Sequence, residues 1–276
     1  MSTQPTGVQR IAERFARIRA EGRVGLAPFV TAGYPEIDAT PAIVRALIAG
    51  GADLIEIGVP FSDPLADGPV IQASTFAALQ QGVTPDTCLD IVRQIRHNDS
   101  ATPVVLMGYY NPLLAFGLQR FVEQAAASGA DGLIVVDLPP EEAGDLREAC
   151  ATMGTACILL AAPTSGEERL ALIGRTGTGF VYCVSVRGVT SARDELPVDL
   201  GEFVGRIRRY TDLPVAVGFG ISRREHVQEV GKYADAAVIG SAFVRLLAET
   251  PRVEREQRIR EYVEMVTGRT GADIRG

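Results

Sequence analysis

The densest group of reactive side chains lies in LIEIGVPFSDPLADGP, residues 54–69. Glu56 lies inside an apolar run, and strand alternation places it on the same face as Leu54 and Gly58. Apolar surroundings raise the pKa of a glutamate, which suits a general acid or base. The alternative is that this face meets a layer of helices, where Glu56 would only pair with a cation.

The turn after Glu56 carries two further carboxylates, Asp63 and Asp67, among several prolines. Either aspartate could cap a turn or the helix that begins near Pro69, and position alone does not choose between them. Carboxylates without a neighbouring His or Cys favour proton transfer on an organic substrate over nucleophilic acyl chemistry. Two such carboxylates could also bind Mg²⁺.

Glycines in AVGFGISRREH and VIGSAFVRLL predict a second site, because each run ends a strand and leads into a helix. Backbone N–H groups at such helix starts bind anions, so Gly218, Gly220 and Gly240 indicate a phosphate site. The alternative is that these glycines only form tight turns. The preceding polar loop, SVRGVTSARDELP, fits a mobile lid or an ordinary surface loop, and its Arg187 and Arg193 could contact a phosphate or only solvent.

The elements that must position these residues form a repeating pattern. Eight short apolar or β-branched runs alternate with segments of helical periodicity. This pattern predicts an α/β fold, a (β/α)₈ TIM barrel in a single domain over residues 1–276. Extra helices are predicted over residues 5–21 and 252–267. The predicted strands lie near residues 26–31, 53–59, 103–109, 131–137, 156–162, 179–185, 214–220 and 236–241.

Composition excludes several other classes of protein. The chain has 276 residues, 46% of them apolar, and a net charge of −7, which argues against binding to nucleic acid or to an anionic membrane surface. Its four cysteines form no C-x-x-C pair, and only two histidines are present, so neither a zinc site nor a disulfide scaffold is expected. No targeting segment or membrane span is recognisable, and the expected location is cytoplasmic.

The run IEIGVPFSDPLADGPVIQ resembles the tryptophan synthase α-subunit family. PFVTAGYP precedes this run, and LMGYYNP, VDLP, GVT, GFGIS and GSA follow it in the family's order, so the similarity extends from about residue 9 to about residue 267. The resemblance implies a barrel that cleaves indole-3-glycerol phosphate by a retro-aldol reaction, giving indole and D-glyceraldehyde 3-phosphate. Such a chain is a carbon–carbon lyase of tryptophan biosynthesis.

The resemblance also assigns roles to individual residues. Glu56 takes the place of the general acid/base, Asp67 rather than Asp63 that of the second catalytic carboxylate, and Tyr182 that of the tyrosine near the reacting centre. No metal ligand is implied. The phosphate contacts would be Gly188, Thr190, Gly220, Gly240 and Ser241. The indole pocket would be lined by Phe29, Met107, Tyr109 and Phe219.

The family couples this subunit to a β subunit in an α2β2 heterotetramer, and the resemblance implies the same partner here. Pyridoxal phosphate would belong to that partner, with no cofactor in this chain. Contacts with the partner would come from residues 60–67, Asn111, Pro139 and the lid. Ser191 stands in the lid where the family usually has glycine. Two alternatives are a stand-alone lyase and a non-catalytic barrel that binds a phosphorylated ligand, although a binding module has no need for two costly carboxylates.

Overall fold

Eight parallel strands close into a barrel in the computed structural model, which describes residues 5–184, 199–218 and 220–269. Each strand pairs with the next along the chain, and β8 pairs with β1. The predicted (β/α)₈ TIM barrel is therefore confirmed. The strands are β1 Gly25–Thr31, β2 Ile55–Gly58, β3 Val104–Gly108, β4 Gly132–Val135, β5 Ala156–Ala161, β6 Val181–Val184, β7 Val215–Gly218 and β8 Ala236–Ile239.

Helices surround the barrel and cover one end of it. The two predicted terminal helices are present as α1 and α12, while α5, which begins two residues after the end of β3, was not predicted as a helix of its own. The helices are α1 Gly7–Ala20, α2 Thr40–Ala49, α3 Pro69–Gln80, α4 Pro85–Asn98, α5 Tyr110–Phe116, α6 Leu118–Ser128, α7 Gly144–Met153, α8 Glu167–Thr176, α9 Leu200–Arg208, α10 Arg224–Val230, α11 Ser241–Glu249 and α12 Arg255–Thr267.

Local sequence explains where several helices begin. Thr6 caps α1 by accepting from the Gln9 N–H, and the Gln9 side chain accepts from Thr6 in return. Thr84 caps α4 in the same reciprocal way, with Pro85 in the first turn. Among the parts of the chain that the structure describes, no helix is both long and apolar enough to cross a lipid bilayer.

Strand alternation separates two apolar layers. Ile55 and Ile57 pack outward among the helices, whereas Leu54 belongs to the cluster inside the barrel with Val105 and Ile134. Glu56 shares the face of Leu54, so it points into the barrel. The alternative that Glu56 faces the helix layer is wrong.

Ion pairs and α1 fill the amino-terminal end of the barrel. Asp53, Asp131 and Asp235 each precede an even-numbered strand, and α1 packs Phe15 against Phe180 in the interior. Each aspartate accepts from a backbone N–H of the preceding strand: Asp53 from Leu26 at 3.0 Å, Asp131 from Val104 at 2.7 Å and Asp235 from Val215 at 2.8 Å. Arginines complete these contacts, Arg23 on Asp53, Arg10 and Arg96 on Asp131, and Arg208 on Asp235. Chemistry is therefore left to the opposite end, as in other barrels of this type.

Candidate active site

Glu56 is an isolated carboxyl in the barrel interior. It lies on β2 beside Phe29 of β1, and no part of it is exposed to solvent. Neither carboxyl oxygen has a hydrogen-bond partner of acceptable geometry among the described residues. Burial raises the pKa of Glu56 from 4.5 to about 8, although the nearby Tyr182 hydroxyl opposes this increase. A carboxyl in this environment is protonated at neutral pH and can donate its proton.

Tyr182 connects Glu56 to the rest of the predicted catalytic set. It lies on β6, is buried, and has its pKa raised well above 10, first by burial and then by the charges of Glu56 and Asp67. Its hydroxyl lies close to Gly218 of β7, where a Cβ atom would be 2.8 Å from the phenol oxygen. The structure thus brings the three predicted catalytic residues together, and Gly218 provides the space that Tyr182 occupies.

Asp67 lies in the loop between β2 and α3, two residues before α3 begins at Pro69. It is half-buried, and its Oδ2 accepts from the Tyr109 hydroxyl at 3.0 Å. Burial raises the pKa of Asp67, while the hydrogen bond from Tyr109 lowers it. Asp63 is exposed and is within hydrogen-bonding distance of its neighbour Ser62. Of the two aspartates that position alone could not separate, Asp67 is therefore the one beside the interior.

Apolar side chains form one wall of the site. Phe29 belongs to a cluster that includes Ile71 and Val244, with Met107 packed against it. Gly58 allows this arrangement, because a Cβ at that position would lie 2.4 Å from Cζ of the Phe29 ring. The predicted pocket residues Phe29 and Met107 therefore share a surface, and Glu56 is the strand neighbour of Phe29.

The predicted phosphate-binding glycines lie at the ends of β7 and β8. Gly220 has a φ of 65°, a conformation that favours glycine, and a Cβ there would contact nothing within 4 Å. Gly240 precedes α11, which begins at Ser241, so backbone N–H groups of that helix start are available to an anion. A Cβ on Gly240 would lie 3.9 Å from Cβ of Phe29, which places this helix start beside the apolar wall.

Several predicted residues lie outside the described part of the chain. These are Gly188, Thr190 and Phe219, together with Arg187, Ser191 and Arg193 of the predicted lid. Within residues 5–184, 199–218 and 220–269, no group of three or more His, Cys, Asp or Glu side chains is arranged to hold a metal ion.

The sequence analysis missed a cavity next to the site. Its volume is about 580 Å³, and it lies between the loop that carries Asp67 and the ends of β3 and β4. The available signals were the runs LMGYYNP and VDLP, which follow those two strands and supply Asn111 and Asp137. The lining residues are Phe61, Asp63, Leu65, Ala66, Tyr109, Asn111 and Asp137.

The arrangement as a whole suits proton transfer on a largely apolar substrate. Burial raises the pKa of both carboxyls, and Asp67, the partly exposed one, accepts a hydrogen bond from Tyr109 that favours its ionised form. The start of helix α11 and the glycine turn at Gly220 lie at one side of the site, and the apolar wall around Phe29 lies at another. A molecule with a flat apolar end and an anionic end would match this distribution.

Comparisons with known proteins show which family and which solved structures this chain is similar to. The sequence model of the family described as "Tryptophan synthase alpha chain" matches residues 15–271. The tryptophan synthase alpha chain of Roseiflexus castenholzii is 47% identical over 95% of this chain and 100% of that protein. Two solved structures have the same fold. Tryptophan synthase subunit alpha from Legionella pneumophila has a TM-score of 0.87 and 35% identity, and the match covers 94% of this chain and 97% of that one. A chain from the tryptophan synthase α2β2 complex of Pyrococcus furiosus has a TM-score of 0.83 and 41% identity, and the match covers 90% of this chain and 98% of that one. The chain belongs to the tryptophan synthase alpha chain family.

Proposed function

We propose that the chain cleaves indole-3-glycerol phosphate by proton transfer through Glu56, with Asp67 and Tyr182 completing the catalytic set. The chain is a carbon–carbon lyase that produces indole and D-glyceraldehyde 3-phosphate. The observation that carries the proposed mechanism is the state of Glu56, which is fully buried, has no hydrogen-bond partner of good geometry among the described residues, and lies beside the apolar wall. A structural glutamate would be paired.

The reaction requires two proton transfers. Protonated Glu56 donates its proton to C3 of the indole ring, which places a positive charge on the ring nitrogen. The bond between C3 and the glycerol chain then breaks, and its electrons return to the ring. The hydroxyl of the adjacent chain carbon loses its proton to the Glu56 carboxylate as the aldehyde forms. Glu56 ends the cycle protonated, so no external acid or base is consumed.

Asp67 stabilises the positive charge that develops during this cycle. Its carboxylate accepts a hydrogen bond from the indole N–H, and a fixed negative charge in a poorly solvated site is effective for this purpose. Phe29, Met107, Tyr109 and Phe219 hold the ring. The phosphate is held by Gly188, Thr190, Gly220, Gly240 and Ser241, and helix α11 supplies backbone N–H groups.

The partner is a tryptophan synthase β subunit, as in the Pyrococcus furiosus α2β2 complex. Pyridoxal phosphate belongs to that subunit. Leu65 supports a contact at the barrel mouth, because it is an apolar residue that is 92% exposed in the loop carrying Asp67. Four buried free cysteines favour a cytoplasmic location. We place residues 1–276 in one barrel domain.

Indole release by the purified chain tests the proposal. The substrate is indole-3-glycerol phosphate, and the assay is run with and without a β subunit on the parent chain and on Asp67→Asn. Asp67→Asn keeps the shape of the side chain and removes its charge, so we expect a loss of about 100-fold or more in kcat, comparable to the loss of one preorganised charge-stabilising group.

Three results distinguish the candidate functions. Slow release alone that the β subunit accelerates supports the coupled lyase. Fast release that the β subunit does not change supports a stand-alone lyase. Absence of indole under every condition refutes catalysis and leaves only a barrel that binds a phosphorylated ligand.

A further inference from the structure

Tyr109 contacts the Asp67 loop at three points. Its hydroxyl donates to Asp67 Oδ2 at 3.0 Å and accepts from the Ala66 N–H at 3.0 Å. Its ring lies against Phe61, with centroids 5.3 Å apart. Tyr109 follows β3 directly, so its side chain connects the rigid barrel wall to this loop. It is only 5% exposed.

We propose that Tyr109 is a positioning residue that locks the Asp67 loop and leaves one defined oxygen of Asp67 for the substrate. The resemblance makes Tyr109 a wall of the indole pocket, and this second role is carried by its hydroxyl rather than by its ring. The inference rests on the proposed function, because it concerns how Asp67 is presented to the reaction.

The direction of the hydrogen bonds follows from the donors available. The Ala66 backbone N–H can only donate, so it occupies a lone pair of the Tyr109 oxygen. The single phenolic proton then points to Asp67 Oδ2. Burial and the Asp67 charge raise the pKa of Tyr109 further above its ordinary value, so the phenol keeps this proton at any working pH. Tyr109 is therefore a fixed donor to one oxygen.

The other oxygen of Asp67, Oδ1, is left available. No hydrogen bond to it is present from the residues that the structure describes, whereas the Asp67 backbone carbonyl accepts from Gln72 Nε2 at 2.8 Å. Tyr109 and Gln72 thus hold the side chain and the backbone of Asp67 from two sides. An indole N–H meets an oxygen whose orientation is already set, which reduces the ordering cost in the transition state.

The same hydrogen bond affects the charge of Asp67. Burial raises the pKa of Asp67, and the Tyr109 hydroxyl opposes that increase. Removing the hydroxyl removes a partner of the ionised form, so the pKa of Asp67 rises. Because Asp67 acts as an anion, the acid limb of the kcat/KM profile moves to higher pH when Tyr109 loses its hydroxyl.

Tyr109→Phe is the direct test, because it keeps the ring in the pocket wall and removes only the oxygen. We expect kcat to fall about 10- to 100-fold, the range for losing one hydrogen bond to a charged group. KM should change less than kcat. The matched control is Tyr233→Phe, which removes a phenolic oxygen at the opposite end of the barrel, two residues before Asp235.

The assay measures kcat and KM for indole release between pH 5 and 8, with the β subunit present, for the parent chain and both variants. A lower kcat together with an acid limb at higher pH in Tyr109→Phe supports the proposal. An unchanged kcat overturns it, and so does a lower kcat with the limb unmoved, since a wall residue alone would give that result. If the parent chain releases no indole, the proposed function fails first, which separates the two failures.

Discussion

Replacing Glu56 by glutamine should make the stability of the protein less dependent on pH. Because the pKa of Glu56 is raised from 4.5 to about 8 in the folded chain, the folded state holds the proton more tightly than the unfolded state. The stabilisation from this proton is complete below about pH 4.5 and decreases as the pH rises towards 8. Glutamine has no proton to lose in this range, so Glu56→Gln lacks that decrease.

The magnitude follows from the increase in pKa. One pKa unit corresponds to about 1.4 kcal/mol, so the free energy of unfolding of the parent chain falls by about 3 kcal/mol between pH 4.5 and 7 and by about 5 kcal/mol once the pH exceeds 8. The buried amide of glutamine has its own cost, but that cost does not vary with pH. The slope of the difference between the two proteins is therefore the quantity to measure.

Denaturant or thermal unfolding at intervals from pH 5 to 9 gives this slope. For a chain of this size a change of about 3 kcal/mol corresponds to about 6–12 °C in Tm. Glu142→Gln, at an exposed glutamate on the surface, is the matched control for removal of one carboxylate. A constant difference between the parent chain and Glu56→Gln over this range would show that Glu56 is solvated and ionised in the folded protein, and would refute the reasoning from burial.

Three other substitutions probe the wall, the phosphate loop and the ion pairs. In Gly58→Ala the new Cβ would lie 2.4 Å from the Phe29 ring, so the ring must shift into the pocket. We expect destabilisation of about 1–3 kcal/mol and a higher KM. An unchanged KM would contradict the predicted wall. Tyr262 of α12 donates to the Ser222 carbonyl in the loop after β7 at 3.1 Å. Tyr262→Phe should therefore raise KM by about 2- to 10-fold with kcat nearly constant. A fall in kcat alone would argue against a role of this loop in phosphate binding. Asp131→Asn removes a fully buried charge held by two arginines and should cost about 3–5 kcal/mol in the free energy of unfolding, whereas a loss below about 1 kcal/mol would mean that the pair contributes little.

Periodicity was sufficient to predict the architecture of the barrel. The eight apolar runs correspond to the eight strands, and the two terminal helices lie where predicted. Seven of the strands are shorter than the predicted runs, whereas β1 begins one residue earlier than predicted. Apolar residues next to a strand end extend a run without belonging to the strand ladder, so the run does not mark the strand boundary. Helix α5 was not predicted because it starts only two residues after β3, and an apolar run that changes period without a break gives no local boundary.

The inward direction of Glu56 could be predicted only as one of two options. Period 2 relates Glu56 to Leu54, but it does not say which face is the interior; the packing of Leu54 with residues of other strands decides this. The distinction between Asp63 and Asp67 likewise depends on Tyr109, which is more than 40 residues away in the sequence. Local sequence reasoning contains no information about such a contact, and only the resemblance could anticipate it.

The most direct test of the central claim is the rate of indole formation from indole-3-glycerol phosphate by the parent chain and by Glu56→Gln, at saturating substrate between pH 6 and 10. The account predicts that the parent rate falls above about pH 8, where Glu56 loses the proton that it must donate, and that Glu56→Gln loses about 100-fold or more of kcat at every pH. A Glu56→Gln chain that remains folded and releases indole at the parent rate would show that another group transfers the proton, and would contradict the account.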